Sequence, residues 1–157
     1  MLSQTTEYAL RAMSWLAMTP EALVPTAQLA ESTQVPPHYL AKVLQQLSAA
    51  GLIRGRRGVR GGYQLNRDPA DVTLLDVVRA VTEVNRITTC PLGLDSHGST
   101  LCPLHKKIDA AAKAVIDIYS DVTLADLVKP ANGPTPLCDV NGHAAKAKLT
   151  ISAPSKC

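Results

Sequence analysis

One stretch of this chain admits few folds. Residues 36 to 65 read PPHYLAKVLQQLSAAGLIRGRRGVRGGYQL. The paired prolines suit the opening of a helix, where a missing N–H removes no bond. Leu40, Val43, Leu44 and Leu47 then follow at i, i+3, i+4 and i+7, a single helical face, and Ala50-Gly51 ends the run. Leu52-Ile53 and Tyr63-Gln64-Leu65 flank a turn rich in glycine and arginine, the pattern of two short strands and a hairpin tip. The helix face opposite the leucines carries His38, Tyr39, Lys42, Gln45 and Gln46, polar groups able to reach the edges of bases in a groove.

Upstream, residues 4 to 18 read as a helix with Leu10, Met13, Trp15, Leu16 and Ala17 on its apolar face and Arg11 and Ser14 off it. Pro20 stops it, and Thr26 is placed to N-cap a short helix running to about Thr33. A helix pair followed by a hairpin predicts a winged helix-turn-helix over residues 1 to 70. The net charge is only +3, but Arg54, Arg56, Arg57, Arg60 and Arg67 cluster in and after the hairpin, and no acid occurs between Glu31 and Asp68. Such local basicity predicts an anionic partner. A nucleotide loop does not fit, because GVRGG has neither the Lys-Ser/Thr ending of a P-loop nor dinucleotide spacing. One tryptophan and four tyrosines make no stacking platform for single strands, so double-stranded DNA is the expected target.

Residues 73 to 84 predict a fourth helix capped by Thr73, and residues 104 to 121 a longer one. The latter has Leu104, Ile108, Ala111, Ala112, Val115, Ile118 and Tyr119 along one stripe. One small domain cannot bury that stripe alone, so a homodimer joined through this helix is expected. The overall class is mainly α with a small β-hairpin wing: a winged helix-turn-helix plus a long dimerisation helix. Residues 71 to 128 form the sensor loop and dimerisation helices, and the proline-studded residues 129 to 157 read as a flexible tail. No signal peptide or membrane span is evident in 157 residues, which predicts a cytoplasmic protein with no membrane partner. No Ser-His-Asp set, paired-carboxylate cleft or catalytic zinc motif marks it as an enzyme.

Between the last two helices, residues 85 to 103 follow neither period, and a loop that long inside a domain usually has a function. It holds Cys90, His97 and Cys102, with His105 just beyond. Three chemistries suit this set. Zinc is served by two cysteines and two histidines, although the tight Cys-x2-4-Cys knuckle is missing. A thiol switch needs only that Cys90 and Cys102 meet, with Lys106 and Lys107 supplying positive charge nearby. An iron–sulfur cluster accepts thiolates, and histidine can replace cysteine on one iron. Cys138 and Cys157 lie in the tail outside any motif.

TEYALRAMSWLA near the start, HYLAKVLQQLSAAGLIRGRRGVRGGYQL, TLLDVVRAV and TLADL together resemble the Rrf2 (Rrf-two) family of bacterial winged-helix transcription regulators, over residues 1 to 128. The resemblance implies a homodimer on DNA half-sites, and often an iron–sulfur cluster that switches DNA affinity in response to redox state, nitric oxide or iron supply. It implies that His38, Tyr39 and Lys42 reach bases or phosphates, and that the wing, through Arg57 with Arg60 beside it, enters the minor groove. Ala41 stands where IscR-type members carry a glutamate that helps to select bases. Cys90, Cys102 and His105 match the first, third and histidine positions of the cluster motif, with Ser96 in the middle cysteine's place. A two-iron 2Fe-2S core is therefore expected, with Glu7 of the facing subunit as fourth ligand and His97 as the substitute. A cluster-free thiol switch and a structural zinc protein that binds a protein partner remain the alternatives.

Overall fold

Pro37 does take the first turn of the helix that carries the leucine face. In a computed structural model that describes residues 3–91, 100–129 and 135–137, the helices are α1 (Gln4–Met18), α2 (Thr26–Thr33), α3 (Pro37–Ala49), α4 (Leu74–Val81), α5 (Pro103–Ser120) and α6 (Leu124–Val128). A hairpin of β1 (Ile53–Arg56) and β2 (Gly62–Leu65) follows α3, pairing Ile53 with Leu65 and Arg56 with Gly62. This is a mainly helical chain with a two-stranded wing.

The core forms around α1, which packs on α2, α3, α4 and α6. Trp15, Met13 and Leu16 are fully buried with Leu29, Leu40, Leu44, Leu47, Val77 and Leu124. Burying side chains of this size removes roughly 1.5–3 kcal/mol of apolar exposure each, which is why the leucine face of α3 sets the pose of its polar face. Ser14 departs from its sequence expectation: it is buried, and its hydroxyl donates to the Leu10 carbonyl at 2.8 Å, so α1 is covered on almost every side. Ser3 caps α1 by accepting the Thr6 N–H.

Thr26 also departs from expectation. It is the first residue of α2 rather than its cap, Pro25 holds the N-cap position, and no side chain caps that helix. The chain enters α2 through an edge contact instead: Val24 exchanges two 2.8 Å backbone bonds with Tyr63 of β2, so the wing is tied to the start of α2. Gly62 permits that approach, since a Cβ there would meet the Val24 carbonyl oxygen at 2.3 Å.

Thr73 caps α4 in a full capping box with Asp76, and Thr123 repeats the arrangement on α6 with Asp126. The two caps lie side by side, because Leu74 N–H donates to the Val122 carbonyl and Leu124 N–H to the Val72 carbonyl, both at 2.9 Å. Thr123 holds the Asp126 carboxyl below its usual range. α4 ends at Val81, three residues earlier than its apolar spacing suggests, because Thr82 turns extended. Leu137, in the short described part of the tail, packs against the core. Among the described residues no helix is long and apolar enough to cross a membrane.

Candidate nucleic-acid interface and thiol site

α3 presents His38, Tyr39 and Lys42 to solvent because its opposite face is held by four buried residues, Leu40, Val43, Leu44 and Leu47. Gln45 is exposed as well, whereas Gln46 is half-buried and its Oε1 is enclosed without a hydrogen-bond partner. The His38 and Tyr39 rings lie 4.2 Å apart, and Tyr39 meets the ring of Tyr8 on α1 at 6.1 Å. Two of the candidate readers thus form one surface, backed by a core tyrosine.

The wing projects beside that surface. Arg54, Arg56, Arg57 and Arg60 are exposed, and among the described residues none of them has a carboxylate partner. Arg54 is anchored instead to the Gln64 Oε1 across the hairpin, and Gln64 donates to the Pro20 carbonyl at 3.2 Å. Gly58 takes φ +110 at the tip, and a Cβ on Gly61 would stand 2.3 Å from the Arg56 carbonyl oxygen, so the tip is a tight turn that needs both glycines. Between wing and helices lies a polar recess lined by Thr26, Ser48, Arg56 and Arg57. Uncompensated guanidinium groups beside hydroxyls and the start of a helix form a surface suited to phosphate oxygens.

The second site is at the start of α5. Cys102 is its N-cap residue, and His105 stands in its first turn. His105 Nδ1 lies 3.2 Å from Cys102 Sγ and 3.8 Å from Cys90 Sγ, so one imidazole nitrogen meets both sulfurs. Neither cysteine is in a disulfide, and both are half-buried. The donors suit soft-metal chemistry, with two thiols and an imidazole from two segments. Among the described residues, however, no group of three or more His, Cys, Asp or Glu is arranged to hold a metal ion. Glu7 stands apart from the trio, largely exposed and ion-paired with Arg11 one turn along α1. Arg11 also donates to the Thr33 carbonyl and lies 5.9 Å over the Tyr8 ring. Ser96 and His97 lie outside the described residues, as do Cys138 and Cys157.

Sequence reading missed the pair that ties this loop down. Arg86 meets Asp109 of α5 through two parallel bonds of 2.6 and 2.7 Å, and the Ile87 N–H donates to the same carboxylate at 2.9 Å. The Arg86 guanidinium, with the Ile87 N–H, holds the Asp109 carboxyl at about 2, and Arg86 is raised in return. The only hint in the sequence is an acid at the position one turn past His105, and its partner lies 23 residues away in an aperiodic segment.

Residues 2–130 match the model of the Rrf2 family, described as an iron-dependent transcriptional regulator. The transcriptional regulator IscR of Vibrio atlanticus is 30% identical over 129 residues, covering 82% of this chain and 75% of that protein. The regulator NsrR of Bacillus subtilis is 31% identical over 134 residues, covering 82% of this chain and 90% of that protein. Among solved structures, T. potens IscR superposes with a TM-score of 0.68 at 26% identity, covering 84% of this chain and 88% of that one. The oxidized form of Staphylococcus aureus CymR superposes with a TM-score of 0.65 at 27% identity, covering 85% and 99% respectively.

Proposed function

The chain belongs to the Rrf2 family of transcription regulators, and from that premise we propose a homodimeric, cytoplasmic regulator that reads duplex DNA and senses redox state, nitric oxide or iron supply through a two-iron cluster. Cys90, Cys102 and His105 are its ligands from one subunit, and Glu7 of the partner subunit supplies the fourth. The observation that carries this reading is the convergence of both thiols on His105 Nδ1. When bound, such a cluster supplies one-electron redox chemistry. Two thiolates and one imidazole leave one position for an oxygen ligand, and Glu7 is an exposed carboxylate whose one ion pair among the described residues is with Arg11.

The chain's own contacts offer a route from that ligand to DNA. Taking Glu7 away from Arg11 changes what Arg11 can do over Tyr8, and Tyr8 backs Tyr39 and, through it, His38 on the recognition surface. His38 and Tyr39 read base edges in this scheme, Lys42 binds phosphate, and Arg57 and Arg60 carry the wing into the minor groove. A cluster-free thiol switch is the second reading, favoured by the same sulfur geometry and by the similarity to the oxidized S. aureus CymR.

Anaerobic reconstitution of the full chain with iron and sulfide decides between them. The wild type is expected to gain visible absorption with equal iron and sulfide, and to change its DNA affinity as it does so. Cys90→Ala and Cys102→Ala are expected to lose the colour, whereas His105→Ala and Glu7→Ala keep iron but lose the switch in DNA affinity. A wild type that stays colourless, or a Cys90→Ala variant that loads as well as wild type, overturns the cluster and leaves the thiol switch.

A further inference from the structure

The trio of Cys90, Cys102 and His105 joins two segments that are unlike in rigidity. Cys102 and His105 belong to the first turn of an eighteen-residue helix, so their separation is set by helix geometry. Cys90 lies nine residues beyond the end of α4, outside any helix or strand. Something must hold Cys90 against α5. The Arg86–Asp109 pair is placed to do so. Asp109 is one turn beyond His105 on the same face of α5, and its side chain is only 14% exposed. Its two oxygens take both guanidinium bonds, and one of them also takes the Ile87 N–H, three residues before Cys90. A bidentate Arg–carboxylate pair fixes direction as well as distance.

We propose that Asp109 and Arg86 are positioning residues that hold the Cys90 thiol beside Cys102 and His105, before any metal or oxidant arrives. They touch neither sulfur. They act by shortening the free chain: with the clamp closed, only residues 88 and 89 separate the anchored Ile87 from Cys90, whereas without it the chain is free from Thr82 onward. The loop-closure law makes the effective concentration of Cys90 at Cys102 fall by about eightfold for that lengthening, from two free residues to eight. This inference holds whether the site takes a cluster or works as a thiol switch, because it concerns the two thiols alone.

The test is therefore metal-free. Full-length protein carrying Cys138→Ser and Cys157→Ser is equilibrated with glutathione buffers under chelator, and the Cys90–Cys102 disulfide is counted by alkylation and mass spectrometry. Cys90 attacks oxidised glutathione to form a mixed disulfide and release one glutathione, then Cys102 attacks that sulfur and releases the second. Two protein thiols are oxidised, one glutathione disulfide is reduced, and the two thiol protons pass to the released glutathiones. Asp109→Asn and Arg86→Gln are each expected to lower the protein disulfide equilibrium constant about eightfold, with the double variant no lower than either single one. Arg86→Lys, which keeps the charge but not the fork, is expected to fall between. Lys113→Ala breaks the other ion pair on α5, with Asp117, which acts on Arg86 through space but takes no hydrogen bond from the loop, and is expected to leave the constant unchanged. A constant in Asp109→Asn within the scatter of wild type overturns the proposal, as does an equal fall in Lys113→Ala. A wild type that forms no Cys90–Cys102 disulfide at any glutathione ratio overturns it too.

Discussion

α1 buries nine of its fifteen residues inside one chain, whereas α5, eighteen residues long, buries none. Both helices are amphipathic, so the contrast lies in what surrounds them. α1 is enclosed by four other helices, while α5 packs chiefly on α4. Its apolar stripe divides in two. His105, Asp109, Ala112, Ile116 and Tyr119 are half-buried, and Tyr119 packs against the core. Leu104, Ile108 and Ile118 remain 64%, 47% and 65% exposed. With exposed Ala111 and half-buried Val115, that row alternates steps of four and three, the spacing of a two-helix seam. The helices around α1 enclose their apolar faces within one chain, whereas α5 leaves its outer row exposed.

Substitutions on the two sides of this contrast should behave differently, and the largest effect is expected on the seam. Leu104→Asp with Ile118→Asp should convert a dimer to a monomer in sedimentation and abolish tight binding to a two-half-site operator. Leu44→Ala, in the core of the other region, should instead cost about 2–5 kcal/mol in urea unfolding. Should the paired aspartates leave the dimer intact, the exposed row is not the interface.

A smaller effect is expected at the wing. Arg57→Ala should weaken DNA binding and make the plot of log affinity against log salt shallower by about one unit, the counterion share of a single phosphate contact. An unchanged slope removes Arg57 from the interface. His38→Ala, by contrast, should relax sequence preference with little change in slope.

The smallest effect concerns pH. Asp109 is held at about 2, below its ordinary value of 3.8, so the clamp's contribution is fully present above 3.8 and disappears as pH falls through about 2. The stability difference between wild type and Asp109→Asn, followed by denaturant unfolding, should therefore stay level from neutral pH to about 4 and shrink only below it. A difference that already fades near neutrality contradicts the Arg86–Asp109 assignment.

Local chemistry made much of this protein legible before any coordinates. The prolines and leucines of α3, the glycines of the wing and the Thr73 cap of α4 each act within a few residues, so their structural meaning travels with the sequence. His38, Tyr39 and Lys42 were readable as an outward face for the same reason, because helical period alone sets them opposite the leucines. Elsewhere the outcome was tertiary. Ser14 is buried because neighbouring helices close over α1, and Thr26 yields its capping role because the Val24–Tyr63 bridge decides how the chain enters α2. Ala112, Ile116 and Tyr119 continue the apolar surface of α5 round from Leu104, Ile108 and Ile118, so period alone does not say which side faces outward, and packing on α4 decides it. The bond between Asp109 and Arg86 joins residues with no periodic relation, and it is the kind of contact that only a folded chain can form.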